Sequence, residues 1–181
     1  MQWPLPTSCP TGSAVTDTPE TAQLLDRMAD ALHAIDIAAL DPVVIGIHTG
    51  GVWVADALAS RLALDGPLGT INISFYRDDF SRIGLHPQIR PSDLPVSVDN
   101  RVVLLVDDVL HTGRTIRAAM NELFDYGRPD RILLAVLATR PGRELPIAPD
   151  VVGHVFDALP AGGHLRLTGP DPLALRIEVT A

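Results

Sequence analysis

Apolar positions along the chain alternate between two rhythms. Leu24, Leu25, Met28, Ala31, Leu32 and Ile35 recur at helical spacing, which gathers them on one face of an amphipathic helix. Thr18-Pro19 just before them reads as an N-cap followed by proline at the first helical position. After Pro42, "VVIGI" is a short unbroken apolar run, the mark of a buried strand. "HTGG" is the turn that leaves it, and "VWVADALASRLAL" returns to helical periodicity. "DGPLGT" turns the chain again. "INISFY" then alternates Ile71, Ile73 and Phe75 on one face, as a strand does.

A polar, proline-punctuated stretch from Arg77 to Arg101 follows; a loop of that length is usually a lid or binding loop. Next come the apolar strand "VVLLVDD", a helix predicted over about Thr115 to Tyr126, the stop "GRP", and the strand "RILLAVLA". "VVGHVF", "HLRLT" and "LRIEV" are short extended candidates separated by Gly and Pro. Strands alternating with helices predict an α/β fold built on a parallel sheet. Residues 1–17, rich in Pro, Thr, Ser and Gly, read as a flexible tail. Residues 18–181 read as a single domain, with no internal repeat.

Composition narrows the classes of function. The chain has 181 residues, 46% apolar and 20% charged, an ordinary globular balance with enough length to close a core. The net charge of −8 argues against indiscriminate binding to nucleic acid or membrane. No apolar run is long enough to span a bilayer, and the N-terminus lacks the basic start and apolar stretch of a secretory signal. With a single cysteine, Cys9, a reducing cytoplasm is the expected location. All 14 cations are arginine. The absence of lysine excludes a Walker-type phosphate loop and any Schiff-base mechanism.

The chemistry gathers where "VVLLVDDVLHTGRT" leaves its strand. In open parallel sheets, ligands bind beyond the carboxyl ends of the strands. Here Asp107 and Asp108 sit side by side, and two like charges need something to compensate them. Thr112, Gly113 and Thr115 follow as the next helix opens, offering backbone N–H groups, hydroxyls and the positive end of the helix to a phosphate. The carboxylates can accept hydrogen bonds from sugar hydroxyls and face a hydrated Mg²⁺. A phosphate beside a diol describes a ribose 5-phosphate. Asp107-Asp108 alone would also suit a helix cap or a phosphoaspartate site, but the latter usually requires a later lysine. Arg140 and Arg143 suit either sheet capping or base recognition, and His111 suits a loop residue shaping the phosphate nest or, second to that, a general base.

An apolar strand, Asp-Asp, and then Thr-Gly-x-Thr resembles the phosphoribosyl pyrophosphate (PRPP) motif of type I phosphoribosyltransferases. "GIHTGGVW", "FYRDDF", "VDDVLHTGRTIRAAMNELFDYGRP" and "RELPIAPDVVGH" occur in the order and spacing of the PyrR family, pyrimidine-operon regulators with uracil phosphoribosyltransferase activity. The resemblance covers roughly residues 20–160. It implies a central, mostly parallel twisted sheet flanked by helices, with a small hood toward the C-terminus. It implies a PRPP motif over Val103, Leu104, Leu105, Val106, Asp107, Asp108, Val109, Leu110, His111, Thr112, Gly113, Arg114 and Thr115. Asp107 and Asp108 would take the ribose hydroxyls and, through water or substrate, Mg²⁺; His111 to Thr115 would surround the 5-phosphate. Thr49 and Gly50 match the pyrophosphate loop. Tyr76, Arg77, Asp78 and Asp79 open a flap over PRPP, in which Arg77 joins the aspartates as a catalytic group. Arg140, Val152 and Gly153 match the base region.

The implied reaction makes uridine monophosphate (UMP) and pyrophosphate from uracil and PRPP, in a homo-oligomer, with messenger RNA as a further partner. The alternative is a nucleotide-sensing RNA-binding attenuator with weak or no catalysis; a purine or orotate phosphoribosyltransferase is a third reading. Three departures stand out. The family often has Thr-Arg where this chain has Thr49-Gly50. "LVDRGHRELP" of many relatives is here "LATRPGRELP", with Thr139 in place of an aspartate, and His154 stands where lysine is common.

Overall fold

The computed structural model describes residues 18–73 and 91–179. Five strands form one sheet in the order β2-β1-β3-β4-β5, and every pairing in it is parallel. They are β1 (Val43–Ile47), β2 (Gly69–Ile71), β3 (Val102–Leu110), β4 (Arg131–Thr139) and β5 (Val151–Val155). Every residue of β1 is buried, as expected of a parallel strand covered on both faces. Helices α1 (Thr21–Ala34) and α2 (Gly50–Arg61) cover one face, where Leu24, Met28, Val54 and Leu58 pack on Leu104 and Val106. Helix α3 (Arg114–Tyr126) covers the other, with Ile116 and Leu123 on Val103, Leu105 and Val136. The alternation of Val103, Leu104, Leu105 and Val106 between two cores is the period-two geometry of a strand.

A separate antiparallel ribbon, β6 (Gly163–Thr168) and β7 (Ala174–Val179), closes the described chain. Leu167 and Leu175 bury into the α1–α2 core, and the Leu175 amide donates to the Thr21 hydroxyl at 2.8 Å. Trp53, half-buried on α2, packs against the same core.

Four elements differ from the sequence expectation. Helix α1 begins at Thr21 with Glu20 as its N-cap and no side-chain cap bond, so Thr18-Pro19 precedes the helix rather than starting it. Strand β2 includes Gly69 and Thr70, which the turn signal had claimed, and ends at Ile71. Residues 74–90, with the rest of "INISFY" and the flap residues, lie outside the described residues, as do 1–17. From residue 91 onward the predicted loop is anchored: Asp93 and Thr70 exchange backbone hydrogen bonds of 2.7 and 2.8 Å, and Val98 is buried. Finally, β3 does not stop at the aspartates but continues to Leu110. Its neighbour β4 is equally long, and the pairs Val109↔Ala138 and Leu110↔Thr139 keep the ladder going where local sequence alone suggested a turn.

Candidate functional site

Two of the loops beyond the carboxyl edge of the sheet meet over the aspartates. Helix α2 starts at Gly50 directly after the β1 turn, and its first two residues press onto β3. A Cβ placed on Gly50 would lie 2.2 Å from Asp108 Oδ2; one on Gly51 would lie 2.5 Å from the Val106 carbonyl oxygen and 2.9 Å from Asp107 Cα. The "HTGG" turn is therefore glycine-rich because β3 runs under it. The two glycines differ in what they touch. Gly50 meets the Asp108 side chain from its carboxylate down to Cβ at 2.9 Å, of which only the carboxylate can rotate away, whereas Gly51 meets backbone. Gly51→Ala is accordingly expected to destabilise by about 1–3 kcal/mol, as overpacking does, while Gly50→Ala is expected to lose less and to turn the Asp108 carboxylate aside. Thermal unfolding of the two variants checks this; equal losses would contradict it.

The chain itself compensates part of the like-charge pair. Asp107 is 2% exposed, and its Oδ1 accepts from the Asp108 amide at 3.0 Å. Asp108 is half-buried, with Oδ1 accepting from the Val109 amide at 2.9 Å. Each carboxylate is thus steadied by a hydrogen bond from the next backbone N–H, a short, directional contact. Asp108 is the more open of the two. Among the described residues no group of three or more His, Cys, Asp or Glu side chains could hold a metal ion. Two adjacent carboxylates fit only a cation that keeps most of its water or binds through a substrate, which is the habit of Mg²⁺.

Past Leu110 the chain turns through His111, Thr112 and Gly113 into α3. Gly113 caps the helix in the left-handed region, with φ of 89°, where glycine carries no Cβ penalty. The first N–H groups of α3 lack intrahelical acceptors and carry the positive end of the helix dipole. The loop is braced from outside. The Thr112 carbonyl accepts from the Glu144 and Leu145 amides at 3.1 Å each. Arg114 Nε and Nη2 both reach Glu144 Oε2 at 2.8 Å. Thr112 Oγ1 accepts from the Arg114 amide at 3.3 Å. Within the predicted motif, Val103, Leu104, Leu105 and Val106 are wholly buried and serve as scaffold; the polar half, from Asp107 to Thr115, forms the rim.

Beside this rim lies a cavity of about 250 Å³ whose walls include Leu110, His111, Thr139, Arg140, Arg143 and Val152. Arg140 Nη2 lies 3.2 Å from His111 Nε2. Burial first, and then the Arg140 guanidinium, hold the His111 pKa below the ordinary histidine value, with Glu144 opposing. His154 is likewise lowered, by burial and then by Arg27, against Asp157; its ring meets Phe156 edge-on at 4.5 Å. Of the predicted base-region residues, Arg140 and Val152 line the cavity. Gly153 opens the other way, since a Cβ there would lie 3.1 Å from Leu24 Cβ, under α1. Sequence reasoning missed Thr139 and Val155 as lining residues, and the role of Gly142, whose absent side chain leaves space beside His111. A larger cavity, about 430 Å³, opens between α1, α2 and the Pro170–Leu173 turn. It borders none of the predicted site residues, and its arginine, Arg61, is paired with Asp26 at 2.9 Å. Tyr76, Arg77, Asp78 and Asp79 lie outside the described residues.

The family description "Phosphoribosyl transferase domain" matches residues 11–157. A protein of Nitrosococcus oceani named Bifunctional protein PyrR is 60% identical over 139 residues, which is 76% of this chain and 78% of that protein. The protein of the same name from Pseudomonas aeruginosa PAO1 is 53% identical over 163 residues, 89% of this chain and 95% of its own. Among solved structures, a hypoxanthine phosphoribosyltransferase from Staphylococcus aureus superposes with a TM-score of 0.60 at 20% identity, covering 79% of this chain and 78% of its own. That likeness concerns the fold alone. A purine phosphoribosyltransferase from Pyrococcus horikoshii gives a TM-score of 0.54 at 30% identity, over 74% of this chain and 83% of its own.

Proposed function

We propose, for a chain that belongs to the phosphoribosyltransferase family and within it to the bifunctional PyrR proteins, that the crevice over β3 binds PRPP and transfers its ribose 5-phosphate to uracil. The enzyme is a uracil phosphoribosyltransferase, giving UMP and pyrophosphate, and it also fits a regulator of pyrimidine genes. The observation that carries the site assignment is the convergence of Gly50 and Gly51 on Asp108 and Asp107, beside the open N-terminus of α3.

In this reading the 5-phosphate sits on the amides and hydroxyls from Thr112 to Thr115. Asp108, with Asp107 behind it, accepts from the ribose hydroxyls and favours the cationic character the sugar develops as pyrophosphate departs. The uracil nitrogen attacks the anomeric carbon from the cavity beside His111, so positioning supplies much of the acceleration. Bound Mg²⁺, held largely by the substrate and water beside the two aspartates, would supply neutralising charge to the leaving group. Thr49 and Gly50 face the pyrophosphate. Because Gly50 brings no cation there, Arg77 of the flap (Tyr76 to Asp79) would supply it, and closure of the flap would exclude water.

The 18–181 stretch would act as one domain, with the β6–β7 ribbon as its hood, in a cytoplasmic homo-oligomer. No helix among the described residues is long and apolar enough to cross a membrane. The regulatory role rests on relatives named bifunctional. With a net charge of −8, any RNA contact must come from a local arginine face, and its affinity must fall steeply with salt. The direct test of the enzymatic reading is turnover of radiolabelled uracil with PRPP and Mg²⁺. UMP and pyrophosphate in equal amounts are expected; no product at saturating substrates would shift the assignment to a regulator that binds nucleotide without catalysis.

A further inference from the structure

We propose that His111 is a specificity-determining residue: its Nε2 accepts from Arg140, and its Nδ1–H donates to a carbonyl oxygen of the pyrimidine held in the neighbouring cavity. The proposal deepens the phosphoribosyl-transfer reading and rests on it.

The tautomer follows from donor chemistry. A guanidinium has only N–H groups and no acceptor, so the ring nitrogen 3.2 Å from Arg140 Nη2 is the one bearing the lone pair. A neutral imidazole with Nε2 accepting carries its hydrogen on Nδ1. Arg140 is the ring's hydrogen-bond partner among the described residues, which leaves Nδ1–H for a ligand. The loop after β4 is shaped around the ring. Gly142 has φ of 109°, and a Cβ there would lie 2.6 Å from His111 Nε2, so no other residue type leaves the imidazole in place without a shift.

The charges around the ring are unequal. Arg140 touches it and Arg143 lines the same cavity, while Glu144, the opposing acid, is already held by Arg114 at 2.8 Å. Protonating His111 would place a third cation in this corner and cost Arg140 its acceptor. The cavity's lining points to the ligand class. At about 250 Å³ it has room for a nucleobase, and the donors on its walls select for one rich in carbonyl oxygens. Two carbonyls flanking an N–H are what a pyrimidinedione offers a donor. The other polar lining groups, Thr139, Arg140 and Arg143, supply further donors and, in Thr139, an acceptor.

The test is steady-state kinetics across pH for the parent, His111→Leu and His111→Asn, varying uracil and PRPP separately. In asparagine the amide nitrogen is bonded to Cγ, as Nδ1 is in histidine, so that variant retains the proposed donor. In the parent, the KM for uracil is expected to be flat above neutrality. It should rise as pH falls through the depressed His111 pKa, because only the neutral ring accepts from Arg140. His111→Leu should raise the uracil KM about tenfold, on the scale of one hydrogen bond, leave the PRPP KM unchanged and abolish the acid-side rise. His111→Asn should recover most of the uracil affinity without the pH dependence. Equal increases in both KM values for His111→Leu, or an unchanged uracil KM and pH profile, would overturn the proposal while leaving phosphoribosyl transfer intact. A parent that binds PRPP in titration calorimetry yet forms no UMP would instead overturn the reading on which it rests, and this proposal with it.

Discussion

Replacing Asp107 and Asp108 together by asparagine is expected to lower kcat/KM for UMP formation by at least about a thousandfold, since single electrostatic contacts to a transition state are each worth roughly 10²–10³. Asparagine keeps the size of each side chain and one carbonyl oxygen, so the bonds from the Asp108 and Val109 amides survive and the fold with them. What disappears is the pair of negative charges facing a sugar that becomes cationic. The single variants should divide the effect. Asp108→Asn, at the half-buried and more open position, should carry the larger kinetic loss; Asp107→Asn, 2% exposed, should show the larger change in melting temperature. Initial rates with PRPP, uracil and Mg²⁺, together with thermal unfolding, check both. A double variant that turns over within tenfold of the parent would remove the aspartates from the chemistry.

The second large effect concerns the scaffold. Leu104 is fully buried in β3, between β1 and β4, and packs into the α1–α2 core. Leu104→Ala is expected to cost about 3–5 kcal/mol through lost transfer energy and a cavity that α2 cannot refill. For a chain of this size that corresponds to roughly 6–20 °C in Tm. Below the new transition, kcat should remain near the parental value, because the deletion lies under the site rather than in it. Calorimetry and rates at low temperature separate the two effects. A melting temperature within 2 °C of the parent would show that the strand is not packed as described.

The periodicities carried much of this fold. Buried runs such as "VVIGI" and the helical spacing of Leu24, Met28 and Leu32 are local signals, and the elements stand where those signals fall. The aspartyl doublet, the Thr-Gly-x-Thr stretch and the "HTGG" turn were legible for the same reason, as each is contiguous. What escaped was non-local. Strand β3 runs on to Leu110 because β4 offers partners there, and nothing near Asp108 says so. Helix α1 starts at Thr21, two residues past the expected Thr18-Pro19 cap, and the Thr21 hydroxyl there accepts from the Leu175 amide, 154 positions away. Gly50 and Gly51 looked like turn glycines, yet β3 pressing from beneath is what requires them. The Arg140–His111 pair spans 29 positions and sits against the left-handed turn at Gly142, so the sequence left His111 between a loop residue near phosphate and a general base.

The central claim is that one crevice holds both ends of a ribose 5-phosphate, and a crystal of the full chain grown with PRPP and Mg²⁺ tests it most directly. The account predicts the 5-phosphate within hydrogen-bond reach of the amides and hydroxyls from Thr112 to Thr115, and the ribose hydroxyls on the Asp107 and Asp108 carboxylates. A donor bound elsewhere, for instance between α1 and α2, with the aspartates untouched, would contradict it.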